Sequence, residues 1–239
     1  HLAMKEDEPQ QVFHLAALTH LASAQADPTT AHDTNIRGTH NVFSAMSQHS
    51  VGVLASTCHV YGVPQGLPIT EEHPVAPTGV YASTKAQAEE AARHAASTVV
   101  IARGFHHTGP GQSADYALPG WAQQLAAGQS PIHVGDLSLK RDYTDVRDIC
   151  RGYRRLARDG KHHGVYNLCS GQGTTLQDLL TGLNHGQTPA VQVDEDRLRQ
   201  GDVPEFRGDP SKANALGWIP QVPQQQMLSD LRRSFDRQA

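Results

Sequence analysis

Val51-Gly-Val-Leu-Ala-Ser-Thr-Cys-His-Val-Tyr-Gly62, followed after a loop by Tyr81-Ala-Ser-Thr-Lys-Ala-Gln-Ala-Glu-Glu-Ala-Ala-Arg93 and then by Ser97-Thr-Val-Val-Ile-Ala-Arg103, is the stretch that decides the fold. The continuous apolar run from Val51 to Ser56 predicts a strand buried on both faces, as in parallel sheets. The loop from Tyr61 to Thr78 is rich in Gly and Pro and long enough to serve a function. Tyr81 to Ala96 is dominated by Ala, Glu, Lys and Gln, the strongest helix formers, and Ser97 to Arg103 returns as a strand.

The same alternation extends in both directions. Gln11 to Ala16 reads as a strand. Asp27-Pro28-Thr29-Thr30 offers a helix start, and Ile36, Val42, Phe43 and Met46 recur at helical spacing to about His49. Gly104 to Ser113, with three glycines and two adjacent histidines, predicts a loop. Helices are expected over Tyr116 to Ala127, Thr144 to Arg158, Thr175 to Asn184 and Gln224 to Arg237, with a short strand at Val165 to Cys169 and a broken segment from Pro204 to Pro223. Strands alternating with helices predict an α/β fold with a parallel sheet.

Composition narrows the function. The 239 residues are 38% hydrophobic and carry 20 Lys+Arg against 24 Asp+Glu, a net charge of −4. About two thirds of the unfolded surface is buried at this size, so no disulfide or metal staple is needed. Three cysteines (Cys58, Cys150, Cys169) are too few for a disulfide framework and read as reduced thiols in a cytoplasm. Mild acidity with few lysines disfavours nucleic acid, and no apolar run is long enough to span a membrane. The 15 histidines are scattered without metal-ligand spacing.

Three segments carry candidate chemistry. Tyr81-x-x-x-Lys85 sets a phenol and an ammonium one helical turn apart on one face, where the cation is expected to lower the tyrosine pKa and make it a proton donor at neutral pH. Ser56-Thr57-Cys58-His59 leaves the carboxyl end of a strand, where ligands of open α/β sheets bind, although an ordinary Ser/Thr turn would look the same. Ala102 to Gln112 combines glycines that allow close backbone approach with the imidazoles of His106 and His107, and alone is equally a solvated loop. Arg147, Arg151, Arg154, Arg155 and Arg158 fall at helical spacing and read as a solvated helix face, whereas Arg141 and Arg199 fall in expected loops.

Together these segments resemble the extended short-chain dehydrogenase/reductase family of nucleotide-sugar epimerases, dehydratases and reductases. The resemblance rests on Phe13-His14-Leu15-Ala16-Ala17, Asn35 before Gly38-Thr39, Ser56-Thr57 through Val60-Tyr61-Gly62, Tyr81-x-x-x-Lys85, Arg141-Asp142-Tyr143-Thr144-Asp145-Val146-Arg147-Asp148, Tyr166-Asn167-Leu168 and Asp209-Pro210-Ser211-Lys212. Within the family the branch reducing GDP-4-keto-6-deoxy-D-mannose is the most similar, through His107-Thr108-Gly109-Pro110-Gly111-Gln112, Asn167 to Gly171, and Arg197-Leu198-Arg199 before Asp202-Val203-Pro204.

The resemblance implies a Rossmann-like doubly wound parallel sheet with a smaller C-terminal α/β lobe for the substrate. The nucleotide-binding part is expected over 1–112 and 142–168, and the sugar-nucleotide lobe over 113–141 and 169–239. It implies Tyr81 as the general acid, Lys85 as the residue holding the nicotinamide ribose and tuning Tyr81, and Thr57 as a hydrogen-bond donor to the sugar oxygen. Asn35, Ala16 and Ala17 would line NADPH or NADH, while His59, His106, Arg141 and Arg199 would meet a nucleotide-diphosphate sugar. A cytoplasmic homodimer without nucleic-acid, membrane or metal partners is implied as well.

Departures from the pattern keep other readings open. The places where the dehydratases carry an acidic residue hold Cys58 and His59, which disfavours dehydration and leaves an epimerase or epimerase-reductase that moves a proton with this pair. No Gly-x-x-Gly-x-x-Gly or Gly-x-Gly-x-x-Gly follows an early strand, so the expected sheet lacks its N-terminal strands and their pyrophosphate-binding turn. The chain then reads as part of a longer enzyme or as a degenerate paralogue, a non-catalytic sugar-nucleotide-binding protein with weak dinucleotide affinity.

Overall fold

The computed structural model describes residues 7–198 and 201–237. Its strands are β1 (Gln11–His14), β2 (Val51–Thr57), β3 (Thr98–Gly104), β4 (His106–Thr108), β5 (Ile132–Val134), β6 (Lys140–Arg141), β7 (Tyr143–Asp145), β8 (Val165–Leu168), β9 (Thr174–Thr175), β10 (Val191–Val193) and β11 (Glu205–Phe206). The helices are α1 (Leu21–Ala26), α2 (Pro28–His32), α3 (Gly38–Ala45), α4 (Gly79–Arg93), α5 (Ala117–Ala126), α6 (Val146–Asp159), α7 (Leu176–Leu183), α8 (Ser211–Ala215) and α9 (Gln224–Asp236). A π-helical turn, Asp33–Arg37, joins α2 to α3.

The main sheet is four-stranded and parallel, in the order β1-β2-β3-β8. Side chains on a strand alternate between faces, and here both faces are apolar. Val53, Val100 and Ala102 pack with Ile149, Tyr153 and Leu156 of α6 and with Trp218. Leu54 and Val99 pack on the other face with Phe43 and Met46 and with Ala88 and Ala92 of α4. Helices therefore cover both sides, as in a Rossmann-like sheet. A separate apolar core joins Leu118 and Trp121 of α5, Ile132 and Val134 of β5, Leu179 and Leu183 of α7, and Met227 and Leu231 of α9.

Buried carboxylates hold the connecting segments. Asp142 accepts from the backbone N–H groups of Ser170 (2.8 Å), Gly171 (2.9 Å) and Gly208 (3.3 Å). Asp145 caps α6 by accepting from the Arg147 N–H at 2.8 Å. Asp148 accepts from the N–H groups of Gln221 and Val222 at 2.8 and 2.9 Å and also binds Arg151.

The segment 104–113 is not the uninterrupted loop the sequence predicts. His106–Thr108 forms β4, paired in parallel with β7 through His106↔Tyr143. A three-residue strand whose partner lies far along the chain leaves no local hydrophobic alternation to read. The strands β5, β6, β7, β9, β10 and β11 escape sequence reading for the same reason, and the helix expected from Thr144 starts at Val146.

Candidate active site

The carboxyl end of β2 begins the site. Thr57, 5% exposed, leaves the strand in extended conformation and its Oγ1 accepts from the His59 N–H at 3.3 Å, starting a 3-10 turn over Cys58–Tyr61. The turn ends at Gly62, whose φ of +64° suits glycine and where an added Cβ would lie 2.0 Å from the Ala76 carbonyl oxygen. That close approach lets the 61–78 loop fold back, with the Ala76 N–H donating to Val60 O at 3.0 Å, and delivers the chain to the start of α4.

Tyr81 lies in the first turn of α4 and Lys85 one turn later. The Thr57 side chain acts on the Tyr81 phenol at close range, so the two side chains expected to act together are neighbours. Their acidities differ from expectation. Burial pushes the Tyr81 phenol up to about 12, against the pull of the Thr57 side chain. Burial also pushes the Lys85 ammonium down to about 8, with Glu89 opposing. Lys85 is not among the groups that act on the phenol, so the expected lowering of the tyrosine by its neighbouring lysine is corrected: burial dominates and the phenol stays protonated at neutral pH.

Beside Tyr81 the turn presents a wall of rings. The His59 ring stands edge-on to Tyr81 at 6.2 Å between centroids, to His106 at 5.6 Å, and tilted to Phe206 at 5.5 Å. His106 also packs against Tyr143 at 5.4 Å. Cys58 is 2% exposed and burial pushes its thiol up to about 12, which favours the protonated thiol at neutral pH and weighs against it as the base for epimerisation. Arg141 belongs to β6 rather than to a loop. Its guanidinium donates to Asp202 Oδ1 at 2.7 Å and to the Val203 and Lys140 carbonyls at 2.8 and 2.9 Å. Arg199 lies outside the described residues.

Asn35 is fully buried in the π-helical turn, a feature that often marks functional positions. Its side chain accepts from the Leu18 N–H at 2.8 Å and donates to Leu18 O at 3.2 Å and to Thr84 Oγ1 at 3.0 Å, joining the chain beyond β1 to α4 between Tyr81 and Lys85. Ala16 is exposed and Ala17 half-buried at the carboxyl end of β1. Lys85 is 4% exposed, with His14 of β1 and Glu89 of its own helix as its charged and titratable neighbours. A buried cation beside His14, near the carboxyl end of β1, fits the hydroxyl-rich ribose of a nicotinamide nucleotide.

Sequence reading passed over three contributors. His14 bonds Thr39 Oγ1 at 3.0 Å, and Thr39 in turn donates to Asn35 O at 2.6 Å. Tyr116, at the start of α5, bonds Thr19 Oγ1 at 2.8 Å and faces Tyr81. Glu89 pairs with Arg103, and its place one turn beyond Lys85 was the one available signal.

Comparison with known proteins agrees with this geometry. The family model for GDP-mannose 4,6 dehydratase matches residues 2–231. The GDP-6-deoxy-D-mannose reductase of Pseudomonas aeruginosa is 31% identical over 237 residues, covering 92% of this chain and 78% of that protein. The structure of RMD from the same organism, complexed with NADPH, superposes with a TM-score of 0.89 at 29% identity, covering 98% of this chain and 83% of that one. The UDP-glucose 4-epimerase of Thermotoga maritima with UDP-glucose gives a TM-score of 0.87 at 25% identity, covering 99% and 80%. The chain belongs to the GDP-mannose 4,6 dehydratase family of extended short-chain dehydrogenase/reductases, a family of NAD(P)-dependent nucleotide-sugar oxidoreductases and epimerases.

Proposed function

We propose that this protein reduces the 4-keto group of a nucleotide-linked 4-keto-6-deoxyhexose, of the GDP-4-keto-6-deoxy-D-mannose type, with Thr57, Tyr81 and Lys85 as its catalytic set. The observation that carries the reading is Tyr81 lying beside Thr57 and the His59 ring at the carboxyl end of β2, with the buried Lys85 one turn behind. The identity to a GDP-6-deoxy-D-mannose reductase supports the substrate class.

A bound NADPH or NADH supplies the hydride. Thr57 hydrogen-bonds the C4 oxygen and orients it towards Tyr81. As negative charge grows on that oxygen, Tyr81 gives up its hydroxyl proton. A phenol held near 12 is protonated at working pH yet far more acidic than the alcohol being formed, so the transfer runs downhill. Lys85 then faces a tyrosinate, and its charge repays the desolvation that kept the phenol neutral. Lys85 and Asn35, with Ala16 and Ala17, hold the cofactor side. His59 and His106 face the sugar nucleotide, and Arg141 fixes the 202–203 segment.

Replacing Tyr81 by Phe is expected to lower turnover by about 100-fold or more while leaving substrate KM nearly unchanged. Unchanged turnover removes the assignment. A second reading, epimerisation beside the keto group with His59 moving the proton, is favoured by the contact of the His59 ring with Tyr81. Reaction in deuterated water separates the two, because only epimerisation places solvent deuterium on the carbon next to C4.

A further inference from the structure

Beneath the site lies an ion pair with no direct part in the proposed chemistry. Glu89, 1% exposed, accepts from Arg103 Nε at 2.9 Å and Nη2 at 2.7 Å, and Ser56 Oγ donates to the same carboxylate. Arg103 is 2% exposed, with its guanidinium 4.7 Å over the Tyr61 ring. Taking two charges into the interior costs several kcal/mol per ion, and apolar residues of equal volume would often hold α4 to the sheet as well. A fold that keeps the pair is using it for something leucine and methionine cannot do.

The positions of the partners say what. Ser56 immediately precedes Thr57 on β2, and Arg103 on β3 stands directly opposite Ser56 in the parallel register. Glu89 follows Lys85 by four residues on the same face of α4. One carboxylate therefore touches the strand carrying Thr57 and the strand beside it, on the helix that carries Tyr81 and Lys85. Lys85 is faced by His14 from β1 and by Glu89 from its own helix, while Arg93 approaches Glu89 at 3.7 Å from the solvent side. Around Tyr81 stand Cys58, Tyr116 and Tyr153. Glu89 is the carboxylate among the groups acting on Lys85.

We propose that Glu89 is a positioning residue of the active site: its carboxylate keeps Lys85 an ammonium in the protein interior while locking that lysine's helix onto the strand that carries Thr57. The inference rests on the role of Lys85 in the proposed function, but its test needs neither cofactor nor substrate.

The chain has only five lysines, so 13C-labelled lysine gives a resolved NMR titration, with the Lys85 signal identified by its loss in Lys85→Met. In the parent protein burial pushes Lys85 down to about 8, and the titration midpoint is expected there. Glu89→Gln keeps the shape and an acceptor for Arg103 but removes the charge, and is expected to lower the midpoint by about one unit, a tenfold loss of proton affinity. The pair Glu89→Leu with Arg103→Met removes both charges, packs as an apolar contact and is expected to keep the lowered midpoint. Glu89→Asp keeps the charge and the higher midpoint.

A Lys85 midpoint unchanged in folded Glu89→Gln overturns the proposal. So does a double variant that returns to the parental midpoint, or loss of folding in both charge-removing variants while Glu89→Asp folds, since each makes the carboxylate a structural tie alone. Because the readout is a proton affinity, a failed Tyr81→Phe experiment and a failed Glu89 experiment are distinguishable.

Discussion

Tyr81 and Lys85 occupy the interior at opposite costs: the phenol is comfortable there as a neutral group, whereas the ammonium is not. With its folded value near 8 and an unfolded value of 10.5, Lys85 binds its proton more weakly in the native state. Stability from this group therefore rises with pH between about 8 and 10.5, and at neutral pH the buried charge costs on the order of 3 kcal/mol. Lys85→Met is expected to raise the denaturation midpoint at pH 7, narrow that advantage above pH 8, and abolish turnover. Equal stability of the two proteins across this range would show that Lys85 is solvated rather than buried. The sequence showed Tyr81 and Lys85 as a spaced pair. It did not show that burial dominates their acidity, because the residues that enclose them come from β1, β2 and α5.

At the scale of elements, what was legible followed the length of the segment. The runs at 51–56, 81–96 and 97–103 correspond to β2, α4 and β3 within a few residues, because long apolar or helix-forming stretches express their preference locally. The two- and three-residue strands did not, since each is specified by a distant partner. Asp142, Asp145 and Asp148 illustrate the limit: as sequence they supported a family resemblance, and as structure they are clamps for loops about 30 to 70 residues away and for the start of α6. Removing such a clamp leaves buried N–H groups without acceptors. Asp148→Ala is therefore expected to lower unfolding free energy by about 3 kcal/mol in urea titration, with little change in KM for the protein that remains folded. A loss below about 0.5 kcal/mol would mean that water replaces the carboxylate.

For the whole molecule, a parallel sheet covered on both faces abuts a second apolar core built from α5, α7, α9 and β5, and the Thr57–Tyr81 pair sits at the carboxyl ends of the strands. No helix among the described residues is long and apolar enough to cross a membrane. Under the proposed function Tyr81 is the proton donor, Thr57 the orienting hydroxyl and Lys85 the buried cation, the minimum a ketone reductase requires from its own residues. The direct measurement is the loss of NADPH absorbance when the protein meets GDP-4-keto-6-deoxy-D-mannose. The account predicts oxidation matched one for one by a 6-deoxyhexose product and falling about 100-fold or more in Tyr81→Phe; oxidation that persists undiminished in Tyr81→Phe, or a keto sugar left unreduced, would contradict it.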